Sequence, residues 1–277
     1  MPRRNPAISN CRRQRAFTLI EMIIVMVIIG ILFAVVGIFI VGPVQAYYSG
    51  SVRAELTDVA ANAVERISRE LHMALPNSVR VLVSGGTSAL EFIPTTDGGR
   101  YATESGDKLD FTAIDTSFDV LGPAVSIATG QSIVVYNLGQ GIVGSDAYAG
   151  NNRRTFSGAT GSYANVAITS AAALPASDFA PPYRFFVVSQ PVSYVCAGGS
   201  LTRYTGYGFL VSQSISPGGG GGVVASNVTS CGFTYDASAI ATRTGLATVA
   251  LSISRTLPNG TAETVSLYHA IHVDNLP

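Results

Sequence analysis

The side chains that could do chemistry are few in this 277-residue sequence, and their spacing narrows them further. The run GQGIVG at residues 139–144 has the spacing of a phosphate-cradling glycine loop. Such a loop must open a helix whose backbone N–H groups meet the pyrophosphate, and the SDAYAGNNRRTFSG that follows has turn composition without helical period. His269 and His272 suggest a metal, but three residues apart on a strand they point to opposite faces and cannot share an ion. His72 falls on a helical stretch and is assigned to packing or solvent. Asp97, Asp107 and Asp110 lie in or near turn clusters, whose backbone amides their carboxylates suit. No GxSxG nucleophile motif is present. No catalytic, cofactor-binding or metal-ligating residue is therefore expected, and the chain does not read as an enzyme. What remains is one carboxylate, Glu21, and one pair of thiols, Cys196 and Cys231.

Glu21 stands at the mouth of an apolar run. From Met22 to Gly42 there is no charge, and fifteen residues are Ile, Val, Leu or Phe. Their summed insertion free energy of roughly −7 kcal/mol exceeds a penalty for Glu21 on the order of 3 kcal/mol. The segment from Phe17 to Val44 rises about 42 Å as a helix, enough for about 30 Å of hydrocarbon. Five of the 17 basic residues, Arg3, Arg4, Arg12, Arg13 and Arg15, precede the run, in a stretch without acids, so the N-terminus is expected on the cytoplasmic side. A cleaved secretory signal could end at the VQA of residues 44–46, but its apolar core should be only about 7–15 residues long. A plain anchor fits the length and leaves Glu21 without a role.

The stretch RQRAFTLIEMIIVMVIIGIL, a basic leader, a small residue, Phe, Thr-Leu-Ile, Glu and then an unbroken apolar helix, resembles type IV prepilins and pseudopilins. The resemblance implies that a prepilin peptidase of the inner membrane cuts between Ala16 and Phe17 and methylates the new amine of Phe17. It departs from the commonest pattern in having Ala16 where Gly is usual, which bears on the rate of processing. It further implies that Glu21 pairs with the amine of a neighbouring subunit, since opposite charges attract strongly in a low-dielectric setting. Three further segments, VERISRELHMALPNSVRV, PVSYVCAGGSLTRYTGY and TVSLYHAIHVDNLP, are similar to those of a minor-pilin branch from the mannose-sensitive haemagglutinin pilus, related to the J-type pseudopilins of general secretion.

These residues need elements to hold them. Past the apolar run, Gly42-Pro43 is expected to kink the helix. Beyond it Tyr48, Val52, Leu56, Val59, Ala63, Ile67, Leu71 and Ala74 recur at spacings of three and four, with charges on other faces, which predicts a helix continuing to Leu75-Pro76. The remainder favours strands: VRVLV from 79, LEFI from 90, KLDFT from 108, SIVVYNL from 132, RFFVVS from 184, PVSYVC from 191, YGFLVSQ from 207, CGFTYD from 231, ATVALSI from 247 and ETVSLYHAIHV from 263. TTDGG, TLPNGT and the glycines at 218–222 read as turns, the glycine run as a mobile hairpin loop, and residues 139–180 as a weakly patterned insertion. The expected domains are a leader at 1–16, a long helix at 17–75 that spans the membrane to about residue 44, and a β-rich head at 76–277. The fold class is α+β, and the resemblance implies the type IV pilin fold.

Composition agrees. Charged residues are 12% of the chain, the mean hydropathy is +0.35, and the body beyond the leader is acidic by five charges, which does not suit a nucleic-acid binder. Loss of the leader would remove Cys11 and leave an even pair of cysteines, as expected for one disulfide in an oxidising compartment. The expected partners are the inner membrane, the prepilin peptidase and other major and minor pilins, without any cofactor. The head would lie in the periplasm, and in the pilus after assembly. The alternatives are a pseudopilin of a type II secretion system and, from another class, a membrane-anchored periplasmic enzyme or binding protein.

Overall fold

A computed structural model describes residues 17–240 and 244–277, the side chains of 238–240 excepted. The leader, with Cys11 and Ala16, lies outside the described residues. The chain divides into two units, Met1–Ser51 and Val52–Pro277. One helix, α1, runs from Leu19 to His72 with Pro43 inside it. Its Ile- and Val-rich part is a weak helix former in water, but in hydrocarbon a helix satisfies every backbone group within the segment.

The helix ends at His72, three residues before the expected stop, because the next backbone groups are taken by a strand-like pairing. Leu75 N donates to Ile93 O at 2.7 Å, Thr95 N donates to Met73 O at 2.7 Å, and Ala74 bridges Pro94. The buried helical residues are Leu56, Ala60, Ala63, Val64, Ile67 and Leu71. Tyr48, expected in this stripe, is instead exposed, and Ala60 and Val64 widen the buried face.

The strands among the described residues are, in order, β1 (Arg80–Ser84), β2 (Thr87–Phe92), β3 (Thr95–Tyr101), β4 (Ser117–Leu121), β5 (Val125–Ile127), β6 (Ser132–Val135), β7 (Arg153–Phe156), β8 (Gly161–Tyr163), β9 (Asn165–Thr169), β10 (Arg184–Val188), β11 (Val192–Ala197), β12 (Ser200–Thr205), β13 (Gly220–Ser226), β14 (Val228–Ile240), β15 (Thr244–Thr256) and β16 (Ala262–Asp274). A five-stranded sheet has the order β1-β2-β11-β12-β13, a three-stranded sheet the order β14-β15-β16, and a closed barrel the order β10-β3-β4-β9-β7-β6.

The helical stripe packs against both open sheets. Leu56, Ala63, Ile67 and Leu71 cluster with Leu90, Phe92, Tyr194 and Leu201 of the five-stranded sheet and with Phe233, Val249, Leu251 and Ile271 of the three-stranded sheet. A long helix thus lies on a strand-rich body, which makes the class α+β. Ion pairs from the same stretch of helix reach both sheets: Glu70 with Arg203, Glu55 with Arg255, and Arg53 with Glu263. Pairs at the surface like these add little stability. Cys196 of β11 and Cys231 of β14 form a disulfide with a Cα–Cα distance of 5.9 Å, tying one open sheet to the other. Beside it, Phe233 N donates to the Ser88 hydroxyl at 3.1 Å.

The barrel has its own core, with Phe118, Ile133, Phe156, Val166, Phe185 and Val187 inside. TTDGG is not a turn but part of β3, and its glycines permit close strand approach. A Cβ on Gly98 would meet Phe185 O at 3.0 Å, and one on Gly99 would meet the Phe185 ring at 3.1 Å. KLDFT is not a strand. Its alternation is used to push Leu109 and Phe111 into the barrel core, while Asp110 closes a turn onto Thr112. The 139–180 stretch is no loose insertion, since it supplies β7 and β9 to the barrel.

Two further expectations fail outside the barrel. The glycine run is not a free loop: Gly218 and Gly219 turn with positive φ, and Gly220–Gly222 pair with β12. A Cβ on Gly221 would lie 2.8 Å from the Tyr204 ring, so the aromatic covers a position that only glycine leaves open. YGFLVSQ is not a strand either, because side chains capture its carbonyls. Arg80 donates to Leu210 O and Val211 O at 2.8 Å each, and Gln140 donates to Val211 O at 3.0 Å. Arg80 is itself buried in an ion pair with Glu91 at 2.9 Å and lies 3.6 Å from the centre of the Tyr148 ring.

Candidate assembly segment

Phe17 and Thr18 precede the helix, and the first turn is closed by Thr18. Glu21 N donates to Thr18 O at 3.1 Å and to the Thr18 hydroxyl at 3.3 Å. Thr18 is therefore the cap, and Glu21 occupies the third helical position, the spacing of a capping box with the Thr18 half of it formed. A carboxylate there also complements the partial positive charge of the helix end. The T-x-x-E spacing before an apolar run was available in the sequence, and it gives Glu21 a local task besides any intermolecular one. Glu21 is exposed and forms no ion pair among the described residues.

From Met22 to Val41 the large apolar side chains are each 43–78% exposed. An apolar surface this continuous on a helix needs a cover. The helix is long and apolar enough to cross a membrane.

In the second unit the groups singled out by sequence are dispersed. His269 and His272 are both exposed on β16, at positions of opposite parity. Asp97 lies on β3 and accepts from Ser126 N and Gly98 N, while Asp107 accepts from the Ser117 hydroxyl and the Asn165 amide. GQGIVG opens no helix. Among the described residues no three or more of His, Cys, Asp and Glu are grouped to hold a metal ion.

Two perturbed acids are legible only in three dimensions. Glu91 is fully buried, and burial raises its carboxyl against the opposing pull of Arg80. Asp178 is also fully buried, in a single 3-10 turn at Ala176–Asp178, and burial pushes its carboxyl up to about 6 although Ser145 and Ser177 donate to it.

A family description, the prokaryotic N-terminal methylation motif, matches residues 11–37. No curated protein and no solved structure gives a significant match to the chain. The motif, on an apolar first helix packed further along against a strand-rich body, supports a type IV pilin or pseudopilin, a structural class and not an enzymatic one. It implies processing by a prepilin peptidase and association with a membrane.

Proposed function

We propose that this chain is a minor type IV pilin of the MshO kind, a subunit stored in the inner membrane and then packed through α1 into a pilus or its initiating tip. The peptidase cuts between Ala16 and Phe17, and the Phe17 amine is methylated. The helix cap at Thr18 then lies one residue from the new N-terminus, so cleavage leaves a chain that begins almost at once as helix. Glu21 offers its carboxylate to the amine of a neighbouring subunit, which neutralises both charges away from water and sets the register of packing. The head lies in the periplasm before assembly. The observation that carries this reading is the placement of Glu21 at the mouth of an exposed apolar helix, inside the stretch that matches the methylation motif.

The test compares cells with and without the prepilin peptidase. The reading expects a smaller protein with methylated Phe17 at its N-terminus only when the peptidase is present, and an identical mass in both strains refutes it. Glu21→Leu should insert and be cleaved normally yet enter filaments poorly; full incorporation removes the assembly role of Glu21. Neighbouring genes separate a pilus subunit from a secretion pseudopilin, which shares the same motif.

A further inference from the structure

The barrel carries a cleft of about 540 Å³ between β7, β9 and the loop at 171–175. Its floor includes Thr155 and Thr169, which face each other across the β7–β9 pair, and its lining holds Asn151, Arg153 and Arg154 but no acidic residue. Arg154 is the strut of the site. Its guanidinium donates to the carbonyls of Gly150, Asn151 and Arg153 on one wall and to those of Ala172 and Ala173 on the other. The two walls are thereby held at a fixed separation.

Arg153 is placed differently. Its guanidinium lies 3.4 Å from the centre of the Phe209 ring, and it donates to no protein acceptor among the described residues. Burial alone pushes its pKa down to about 10, with no acid acting against the shift. The nearby acids are engaged elsewhere: Asp146 accepts from Gly141 N, Tyr148 N and Ala149 N, and Asp178 from Ser145 and Ser177. Arg153 is half-buried, its charge faces no acid, and its N–H groups have no protein acceptor among the described residues, so an anion in the cleft would supply both the charge and the acceptors.

We propose that this cleft binds the carboxylate of an acidic oligosaccharide, with Arg153 as the recognising cation and the hydroxyls of Thr155 and Thr169 facing the sugar. The cleft is too large for a lone inorganic ion. Its other lining, Val143, Gly144, Gly150, Ala171–Ala173 and Pro175, contains no aromatic side chain and one branched apolar one, Val143, which suits a hydroxylated ligand better than a peptide with a large apolar anchor. Strands β7 and β9 are each paired on both sides within the closed barrel, so no free strand edge is available there for peptide addition.

The experiment uses the full chain in a non-ionic detergent and titrates it with tetragalacturonate, neutral maltotetraose and tetraglutamate. The expected result is saturable binding of tetragalacturonate that weakens with salt, with much weaker binding of the other two. Arg153→Gln should reduce the affinity about tenfold or more, the scale of a lost charge-assisted hydrogen bond. Thr169→Val, which leaves the charge in place, should give a smaller loss, and Arg184→Gln, on another face of the barrel, should give none. Unchanged thermal melting of Arg153→Gln separates lost recognition from lost folding. Absence of saturable binding by the native chain, equal binding of maltotetraose or of tetraglutamate, or undiminished binding by a folded Arg153→Gln each overturns the assignment.

Discussion

Replacing Arg80 by Met removes the only cation paired with Glu91 among the described residues. The two meet at 2.9 Å with side chains 7% and 0% exposed, so neither can turn to water when its partner is lost. Breaking such a buried pair from one side destabilises by about 3–5 kcal/mol, because the remaining charge stays desolvated. For a body of this size that lowers the melting temperature by roughly 6–20 °C. The pH dependence identifies the cause. Burial already raises the Glu91 carboxyl, and loss of Arg80 removes the interaction that opposed the rise. A folded-state pKa above the unfolded value of about 4.3 means that the folded chain holds the proton more tightly. Stability is then retained at low pH and lost as pH rises through the folded value, so the deficit of Arg80→Met should shrink on going from pH 7 to pH 5. The double variant Arg80→Met/Glu91→Leu, with no charge left to bury, should recover most of the loss. Thermal melting followed by circular dichroism measures all three proteins. A deficit below about 1 kcal/mol, one independent of pH, or a double variant no better than the single would refute the reasoning.

Other changes test other parts of the head. Replacing both Cys196 and Cys231 by Ala opens a link across 35 residues of chain and should cost about 4 kcal/mol on the chain-entropy account, measured by denaturant unfolding with and without reductant. Gly221→Ala places a Cβ 2.8 Å from the Tyr204 ring and should destabilise by about 1–3 kcal/mol, whereas Gly222→Ala, with open space around it, should be near neutral in the same melts. Asp178→Asn should alter the pH profile. The Asp178 carboxyl is pushed up to about 6, so its protonated form stabilises the fold at low pH and that contribution is lost as pH rises through 6. The stability difference between Asp178→Asn and the native chain should move by about 2 kcal/mol in favour of the variant between pH 4.5 and 7.5.

The long helix was legible because its signals are local and repeated: a charge-free apolar run, then a three-and-four spacing whose members Leu56, Ala63, Ile67 and Leu71 do face the core. The termination signal was misread by three residues because proline at 76 is a local cue, while the true stop is a pairing with Ile93–Thr95 that sequence distance hides. Strand composition failed in both directions for the same reason. YGFLVSQ has strand residues but lends its carbonyls to Arg80 and Gln140, and TTDGG has turn residues but is drawn into a barrel whose neighbour, Phe185, tolerates no Cβ. The methylation motif was legible for the opposite reason, since it is contiguous. The Arg153 cleft was not, because its walls come together only when the segments around residues 150 and 172 are held by one guanidinium.

Strands β2 and β11 are hydrogen-bonded neighbours, with Val192 opposite Phe92 and Tyr194 opposite Leu90, yet the whole barrel lies between them in the chain. Its polypeptide leaves the five-stranded sheet after β2 and returns to the adjacent position. The barrel interior contains no residue of α1 and none of the open-sheet strands. The head is therefore a host sheet with a guest module spliced into what would otherwise be a single β-hairpin. Such an arrangement lets the guest vary in length and content while the packing of α1 on the open sheets, to which no barrel strand contributes a core residue, is kept.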